Sequence, residues 1–188
     1  MSEAPVVTLR EIRGDDRERL LAWRNSPAVA AYMYSDHVIT RAEHDRWFDS
    51  IGSDDRRAYW MVEMDGAPVG LANLSDIDRP NRRCAWAYYL AEPQVRGRGV
   101  GSFVEWTMIE RVFGEFGLEK LWCEVLESNE AVWKLHQSFG FTIEARFRQH
   151  VYKAGEPLDV LGLGLLKPHW LAVRDAQRER LRGKGVAI

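Results

Sequence analysis

The segment Arg96-Gly97-Arg98-Gly99-Val100-Gly101 constrains the fold more than any other stretch of the chain. It follows an apolar run, Cys84–Leu90, which reads as a central strand. It opens a segment in which Phe103, Val104, Met108, Ile109, Val112, Phe113 and Phe116 recur at helical spacing. A strand that enters a helix through glycines leaves the first helical amides unsatisfied and aimed outward. The helix dipole adds positive potential at the same point. Glycine lets backbone approach an anion closely, and Arg96 and Arg98 add charge. Two phosphate motifs do not fit. No lysine precedes Ser102, which excludes a P-loop, and a dinucleotide fingerprint needs a third glycine and an early βαβ setting. On the loop alone, a phosphate site, a plain strand-to-helix connection and a disordered RNA-binding tract all stay open.

The flanking pattern is that of a mixed α/β chain. Alternation over Val6–Ile12 predicts a first strand. Asp15 or Asp16 caps a helix carrying Leu20, Leu21, Trp23 and Arg24, and Asn25-Ser26-Pro27 ends it, because the residue before proline avoids helical angles. A short helical stretch is expected around Ala28–Tyr32. The capping box Thr40-Arg41-Ala42-Glu43 starts a helix with His44, Trp47, Phe48 and Ile51. Tyr59–Met64, Val69–Leu74 and Cys84–Leu90 read as consecutive antiparallel strands joined at Asp65-Gly66 and at Asp78-Arg79-Pro80-Asn81. Gly117 stands where a left-handed cap ends the long helix. A strand over Leu121–Leu126 and a helix over Asn129–Phe139, closed by Gly140, follow. Two strands, roughly Thr142–Tyr152 and Leu158–Leu166, come next. The charged stretch His169–Gly183 reads as a last helix or as a solvated, partly frayed tail. The expected division is one domain over residues 1–168 and a charged helix or tail over 169–188.

Composition narrows the function classes. With 26 basic and 28 acidic side chains the net charge is −2, which argues against nucleic acid as the main partner. No apolar run reaches the roughly eighteen residues of a membrane span. The start, Met-Ser-Glu-Ala-Pro, lacks the basic and apolar regions of a signal peptide. Cys84 and Cys123 form neither a metal spacing nor a disulfide framework, and they read as reduced thiols of a cytoplasmic protein. No His, Cys or carboxylate cluster has ligand spacing, so no metal is expected.

Arg96-x-x-Gly99-x-Gly101 resembles the pyrophosphate-binding motif of the GNAT superfamily of N-acetyltransferases. The second half is similar too, with a strand, then Asn129-Glu130-Ala131, then Leu135 and Phe139-Gly140-Phe141. The resemblance spans nearly the whole chain. It implies a single α/β domain with a mixed, splayed central β-sheet flanked by helices on both faces. It implies acetyl-coenzyme A as co-substrate, held by Arg96, Gly97, Arg98, Gly99, Val100, Gly101 and Ser102, with Asn129 beyond. It implies that the backbone of Tyr88-Tyr89-Leu90-Ala91 pairs with the pantetheine arm and polarises the thioester carbonyl.

Acetyl transfer to an amine needs a neutral nucleophile, donors for the developing oxyanion and help for the leaving thiolate. Many family members carry tyrosine seven residues after the motif asparagine, where this chain has His136. An imidazolium near the thioester sulfur can protonate the thiolate, directly or through water. A glutamate common early in the preceding strand is replaced by Ala85, so Glu124 and Asp76 are the candidate substitutes for the base, with a water relay as the alternative. Tyr89 adjoins the reactive carbonyl by resemblance.

The amino-terminal half shapes the acceptor site in this family. Trp23-Arg24-Asn25-Ser26-Pro27, Tyr32-Met33-Tyr34 and Glu43-His44 with Trp47 resemble the group that includes ribosomal-protein N-terminal acetyltransferases. They are more similar still to the nucleotide-sugar N-acetyltransferases of the pseudaminic acid pathway, which serves flagellin glycosylation. The implied acceptor is the 4-amino group of UDP-4-amino-4,6-dideoxy-N-acetyl-β-L-altrosamine. Aromatic faces suit uracil and a methyl sugar, and arginine suits a diphosphate. The candidate acceptor residues are Arg24, Asn25, Met33, Tyr34, His44, Trp47 and Tyr89. A polyamine would call for a carboxylate cluster beside the aromatic segment, and none is evident. A non-catalytic acyl-coenzyme A-binding module is the remaining alternative. A homodimer is compatible with the resemblance and is not legible in the residues.

Overall fold

A computed structural model describes residues 5–188. Three hairpin-linked strands build the amino-terminal half of the sheet: β2 (Ala58–Met64), β3 (Ala67–Asp78) and β4 (Arg83–Leu90), with β1 (Val7–Glu11) antiparallel on the outside of β2. Beyond β4 the chain crosses over to β5 (Lys120–Leu126), which runs parallel to it, and β6 (Thr142–Lys153) and β7 (Glu156–Leu166) form the last hairpin. The seven strands lie in the order β1-β2-β3-β4-β5-β7-β6. The single α/β domain with a mixed sheet is thus as the sequence reading has it.

Strand alternation distributes the helices. Trp60 and Val62 face one side, with Cys84, Trp86, Leu121 and Cys123. That side packs against α4 (Val100–Glu110), α5 (Glu130–Ser138) and α6 (Lys167–Gly183) through Val104, Met108, Ile109, Phe139 and Trp170. Met61 and Leu71 face the other side and meet Leu20 and Trp23 of α1 (Arg17–Asn25). Trp47 and Phe48 of α3 (Arg41–Asp49) join that cluster. A four-residue helix, α2 (Pro27–Ala30), follows α1, and α3 begins at the expected capping box, where Thr40 accepts from the Glu43 amide.

Two expectations shift. The helix after the glycine loop is not uniform: α4 gives way at Arg111–Glu115 to a π-helical turn, in which the Phe116 amide reaches the Arg111 carbonyl at 2.9 Å. The wider turn accompanies burial of both Val112 and Phe113. The charged stretch near the carboxyl end is a packed helix rather than a frayed tail. Trp170 is buried and donates to Glu110 Oε1 at 2.7 Å, and Arg174 grips the same carboxylate. Past α6, Val186 turns back onto the glycine loop, where its Cγ2 lies 2.8 Å from where a Cβ on Gly99 would stand. Among the described residues no helix is long and apolar enough to cross a membrane.

Candidate active site

The parallel arrangement of β4 and β5 brings both of their carboxyl ends to one edge of the sheet, the edge where α/β proteins place ligands. The two strands pair at Arg83 with Lys120, Cys84 with Leu121 and Ala85 with Trp122, and no further. From Trp86 to Leu90 β4 keeps its partners on β3 and has none on β5. This is the splay that the family resemblance implies, and Tyr88-Tyr89-Leu90 forms one wall of it. The Ala91 amide is taken by the Val69 carbonyl of β3 at 2.9 Å.

The glycine loop sits at the mouth of the splay. Gly97 and Gly99 hold φ of 73° and 79°, values that L side chains rarely adopt. Gly99 caps α4 in the left-handed region and offers no side-chain acceptor, so the amides of Val100, Gly101 and Ser102 have no cap. A Cβ on Gly101 would come within 3.4 Å of the Tyr88 hydroxyl and fill the space between the loop and β4. Arg96 is exposed, and Arg98 reaches Asp65 at 3.4 Å while staying partly open to solvent. Asn129 caps α5 just past β5, with its carbonyl accepting from Val132 and Trp133. The uncapped amides, the glycine clearance and the two arginines fit a pyrophosphate.

His136 is buried between α4, α5 and the sheet rather than on the surface. Its side chain is about 4% exposed, and Nδ1 binds both carboxylate oxygens of Glu105, at 2.8 and 2.9 Å. Glu105 comes from α4 and is fully buried. The imidazole is ringed by Trp86 at 5.2 Å, Phe141 at 5.3 Å and Tyr88 at 6.4 Å between centroids. Burial alone would lower the His136 pKa, but Glu105 and the neighbouring Cys123 outweigh it and raise it to about 10. The buried Trp86 Nε1 has no hydrogen-bond acceptor among the described residues.

The profile of the acetyltransferase (GNAT) domain family matches residues 7–142. The chain belongs to the GNAT acetyltransferases. It is 22% identical to the spermidine N(1)-acetyltransferase of Escherichia coli (strain K12) over 172 residues, 92% of either chain. It is 25% identical over 173 residues to YdaF of Bacillus subtilis (strain 168), provisionally named a ribosomal N-acetyltransferase, covering 87% of this chain and 93% of that one. Among solved structures it is similar to the Vibrio cholerae spermidine N-acetyltransferase in complex with CoA and spermine. The TM-score is 0.82 at 19% identity, with 88% of this chain and 98% of that chain covered. The activity of this GNAT chain is acetyl-CoA-dependent N-acetyl transfer.

On the opposite sheet face, this GNAT chain carries aromatic rings under α1 and α3. Tyr89 meets Trp23 edge-on at 6.4 Å, and Trp47 meets Tyr59 edge-on at 5.5 Å and donates to its hydroxyl at 3.3 Å. Arg24 is half-buried and donates to Ser35 Oγ at 2.8 Å. It has no carboxylate within ion-pair distance among the described residues, and burial lowers its pKa while Tyr89 opposes that shift. Tyr34 donates to Glu124 Oε2 at 2.8 Å, and burial, then Glu124, pushes its phenol above the ordinary range. Glu124 itself is exposed at the splayed end of β5. Asp76 lies at the opposite end of β3, against Arg56 at 3.6 Å, so the structure does not bring it to the opening.

Two predicted acceptor residues are engaged elsewhere. Asn25 spends its amide on the Ile39 backbone, donating at 2.9 Å and accepting at 2.8 Å. His44 is buried between α3 and α1, with Nε2 bonded to the Arg17 carbonyl at 2.8 Å. Met33 is half-buried, and its carbonyl takes part in a clasp the sequence reading missed. Lys153, from the tip of the β6–β7 hairpin, donates to the Ala30 and Met33 carbonyls at 2.7 Å each, and Asp36 accepts from the Ala154 amide at 2.6 Å. The clasp adjoins Tyr34, which bonds Glu124. Glu105 was also missed, although it shares the stripe of Met108, Ile109 and Val112, where a charge demands a partner.

The raised His136 pKa fixes a pH dependence of stability. The folded chain binds this proton more tightly than the unfolded chain does. The contribution is complete below about 6.5, the ordinary value, and fades as pH rises through about 10. Melting temperature should therefore fall across that window in the native protein. The slope should flatten in the Glu105→Gln/His136→Gln double variant, as scanning calorimetry in matched buffers would show. Equal slopes would remove His136 as its source.

Proposed function

We propose that the chain transfers acetyl from acetyl-CoA to the amine of a small acceptor that carries negative charge. The specific acceptor is the nucleotide sugar UDP-4-amino-4,6-dideoxy-N-acetyl-β-L-altrosamine. The observation that carries this reading is Arg24: a half-buried guanidinium beside Tyr89 with no carboxylate partner among the described residues. A cation placed this way attracts a diphosphate and repels a polycation. The rings of Trp47, Tyr59 and Tyr89 supply faces for a base and a methyl sugar.

Bound acetyl-CoA supplies the acetyl group as a thioester. The uncapped amides at Val100, Gly101 and Ser102 hold its pyrophosphate, and the unpaired edge of β4 orients its arm. Glu124, exposed and already bonded to Tyr34, receives the proton of the attacking amine directly or through water. His136 stands by the leaving sulfur as a charged donor. Spermidine is the second reading, favoured by the relatives that carry that name.

Free thiol release with the nucleotide sugar, with spermidine and with amino-terminal peptides separates these acceptors. Turnover is expected with the sugar. Arg24→Ala should raise its KM about 10- to 100-fold while kcat stays within about threefold, the loss of one charge-assisted contact. Turnover with spermidine, improved by Arg24→Ala, would overturn the anionic reading.

A further inference from the structure

Helix α6 and the residues after it lie beyond residues 7–142, the stretch matched by the family profile, and carry none of the candidate site residues. Their far end is nevertheless closely built. The Val186 amide donates to the Leu181 carbonyl at 3.0 Å and the Gly185 amide to the Arg182 carbonyl at 2.9 Å, with Gly185 at φ 73°. This paired closure is one that glycine permits just past a helix end, and it returns the next residue against the last turn. Leu181 and Val186 are buried in one core cluster with Val95 and Val100, which bracket Arg96–Gly99. Ile188 packs on the same cluster, while Lys184 and Gly185 stay exposed. A chain end that buries its apolar residues in this way is docked. It meets the loop at Gly99, where Val186 Cγ2 stands 2.8 Å from the place of a Cβ. Gly101 has other neighbours, Tyr88 and Leu90 of β4 and Leu135 of α5, so the tail touches the cap of α4 and not the clearance beside β4. The loop has little rigidity of its own. Gly97 and Gly99 are both glycine, Gly99 offers no capping side chain, and the Arg98–Asp65 pair is exposed.

We propose that Val186 is a positioning residue for acetyl-CoA: packed on Gly99, it fixes the cap of α4, so that the Val100, Gly101 and Ser102 amides are already aimed when the pyrophosphate arrives. The proposal rests on the reading of the glycine loop as the pyrophosphate site. A binding loop made rigid in advance gains affinity, because its ordering no longer has to accompany binding. The coupling is reciprocal. By whatever factor the docked tail favours coenzyme A, bound coenzyme A favours the docked tail. Val186 touches the donor loop and none of the acceptor candidates, so its effect falls on donor affinity.

The experiment measures coenzyme A binding by titration calorimetry, beside the rate of tryptic cleavage after the exposed Lys184 with and without saturating coenzyme A. Val186→Ala should weaken coenzyme A about tenfold, the effect of returning one loop residue to its backbone freedom. Val186→Ile, which keeps the branched contact, should bind as the native protein does. Val173→Ala trims the same helix where it meets Gly140, about 15 Å from the helix end. It should lower the melting temperature and leave coenzyme A affinity unchanged. In the native protein bound coenzyme A should slow the cleavage by about the same tenfold factor, and in Val186→Ala that protection should vanish. Gly101→Val, which fills the clearance beside Tyr88, separates the two readings. If Gly101→Val binds coenzyme A as the native protein does, the loop is not the pyrophosphate site and the proposal falls with that reading. If Gly101→Val weakens binding and Val186→Ala does not, the role of Val186 alone fails. Tighter binding in Val186→Ala would make the tail an obstruction. Equal weakening by Val173→Ala would reduce Val186 to general packing. Either result, or native cleavage indifferent to coenzyme A, would overturn the proposal.

Discussion

Replacing Glu105 with alanine lowers the unfolding free energy by about 3–5 kcal/mol, the cost of breaking a buried ion pair by removing one member. The carboxylate is fully buried and its partner is about 4% exposed, so water cannot replace the lost bonds. Alanine also leaves a void beside Met108 and Ile109 on the same helix. Two comparisons make the result specific. Glu130→Ala removes a carboxylate from an exposed pair with Lys134 and should leave stability within error. Glu105→Leu combined with His136→Phe should recover most of the loss, since a buried pair exchanged for apolar packing is close to neutral. Urea unfolding followed by tryptophan fluorescence checks all three. A loss below about 1 kcal/mol in Glu105→Ala would mean that the pair is not buried in solution.

The second large effect concerns Gly70 in β3. A Cβ there would stand 2.2 Å from the Tyr89 carbonyl oxygen and 3.1 Å from Leu90 Cα, both backbone atoms. Backbone cannot turn aside as a side chain can, so Gly70→Ala must push β4 away from β3 at its last register pair, Gly70 with Leu90. Overpacking of this kind costs about 1–3 kcal/mol. The consequence for binding exceeds that for stability, because the displaced segment is the β4 wall of the splay. The KM for acetyl-CoA should rise at least tenfold. Gly162→Ala is the control: its nearest contact, at 3.2 Å, is the ring of Phe147, a side chain that is partly exposed and can move. Steady-state kinetics with both variants decides the matter. Equal, small effects would show that β4 tolerates displacement.

What the sequence revealed followed from local rules. Thr40 and Glu43 cap α3 as the four-residue motif requires, and Gly117 and Gly140 take the positive φ expected of chain reversals. The loop from Arg96 to Gly101 was legible because its chemistry resides in backbone amides, and glycine spacing reports backbone conformation directly. The proposed acceptor face was less legible because side-chain direction depends on distant segments. Asn25 and His44 have the residue types of a binding site, yet their polar atoms are satisfied by the Ile39 and Arg17 backbone. Lys153 is far in sequence from Ala30 and Met33, and no pattern within the β6–β7 hairpin announces that clasp. Glu105 was within reach of periodicity, but its partner His136 becomes a neighbour only when α4 and α5 pack on the same sheet face.

The short register between β4 and β5 gives the molecule a soft joint. Three residue pairs join these strands, against seven between β3 and β4 and eight between β6 and β7. Within the sheet, then, the two halves are stiff plates on a weak seam, and rotation about that seam is the cheapest deformation available to it. The width of the gap and the relative tilt of the plates are a single coordinate. A molecule lying in the gap takes the place of the missing ladder and stiffens the whole sheet, so part of its binding free energy is spent on restricting that rotation. Any change that stiffens the seam in advance, far from the ligand itself, would return that energy as affinity.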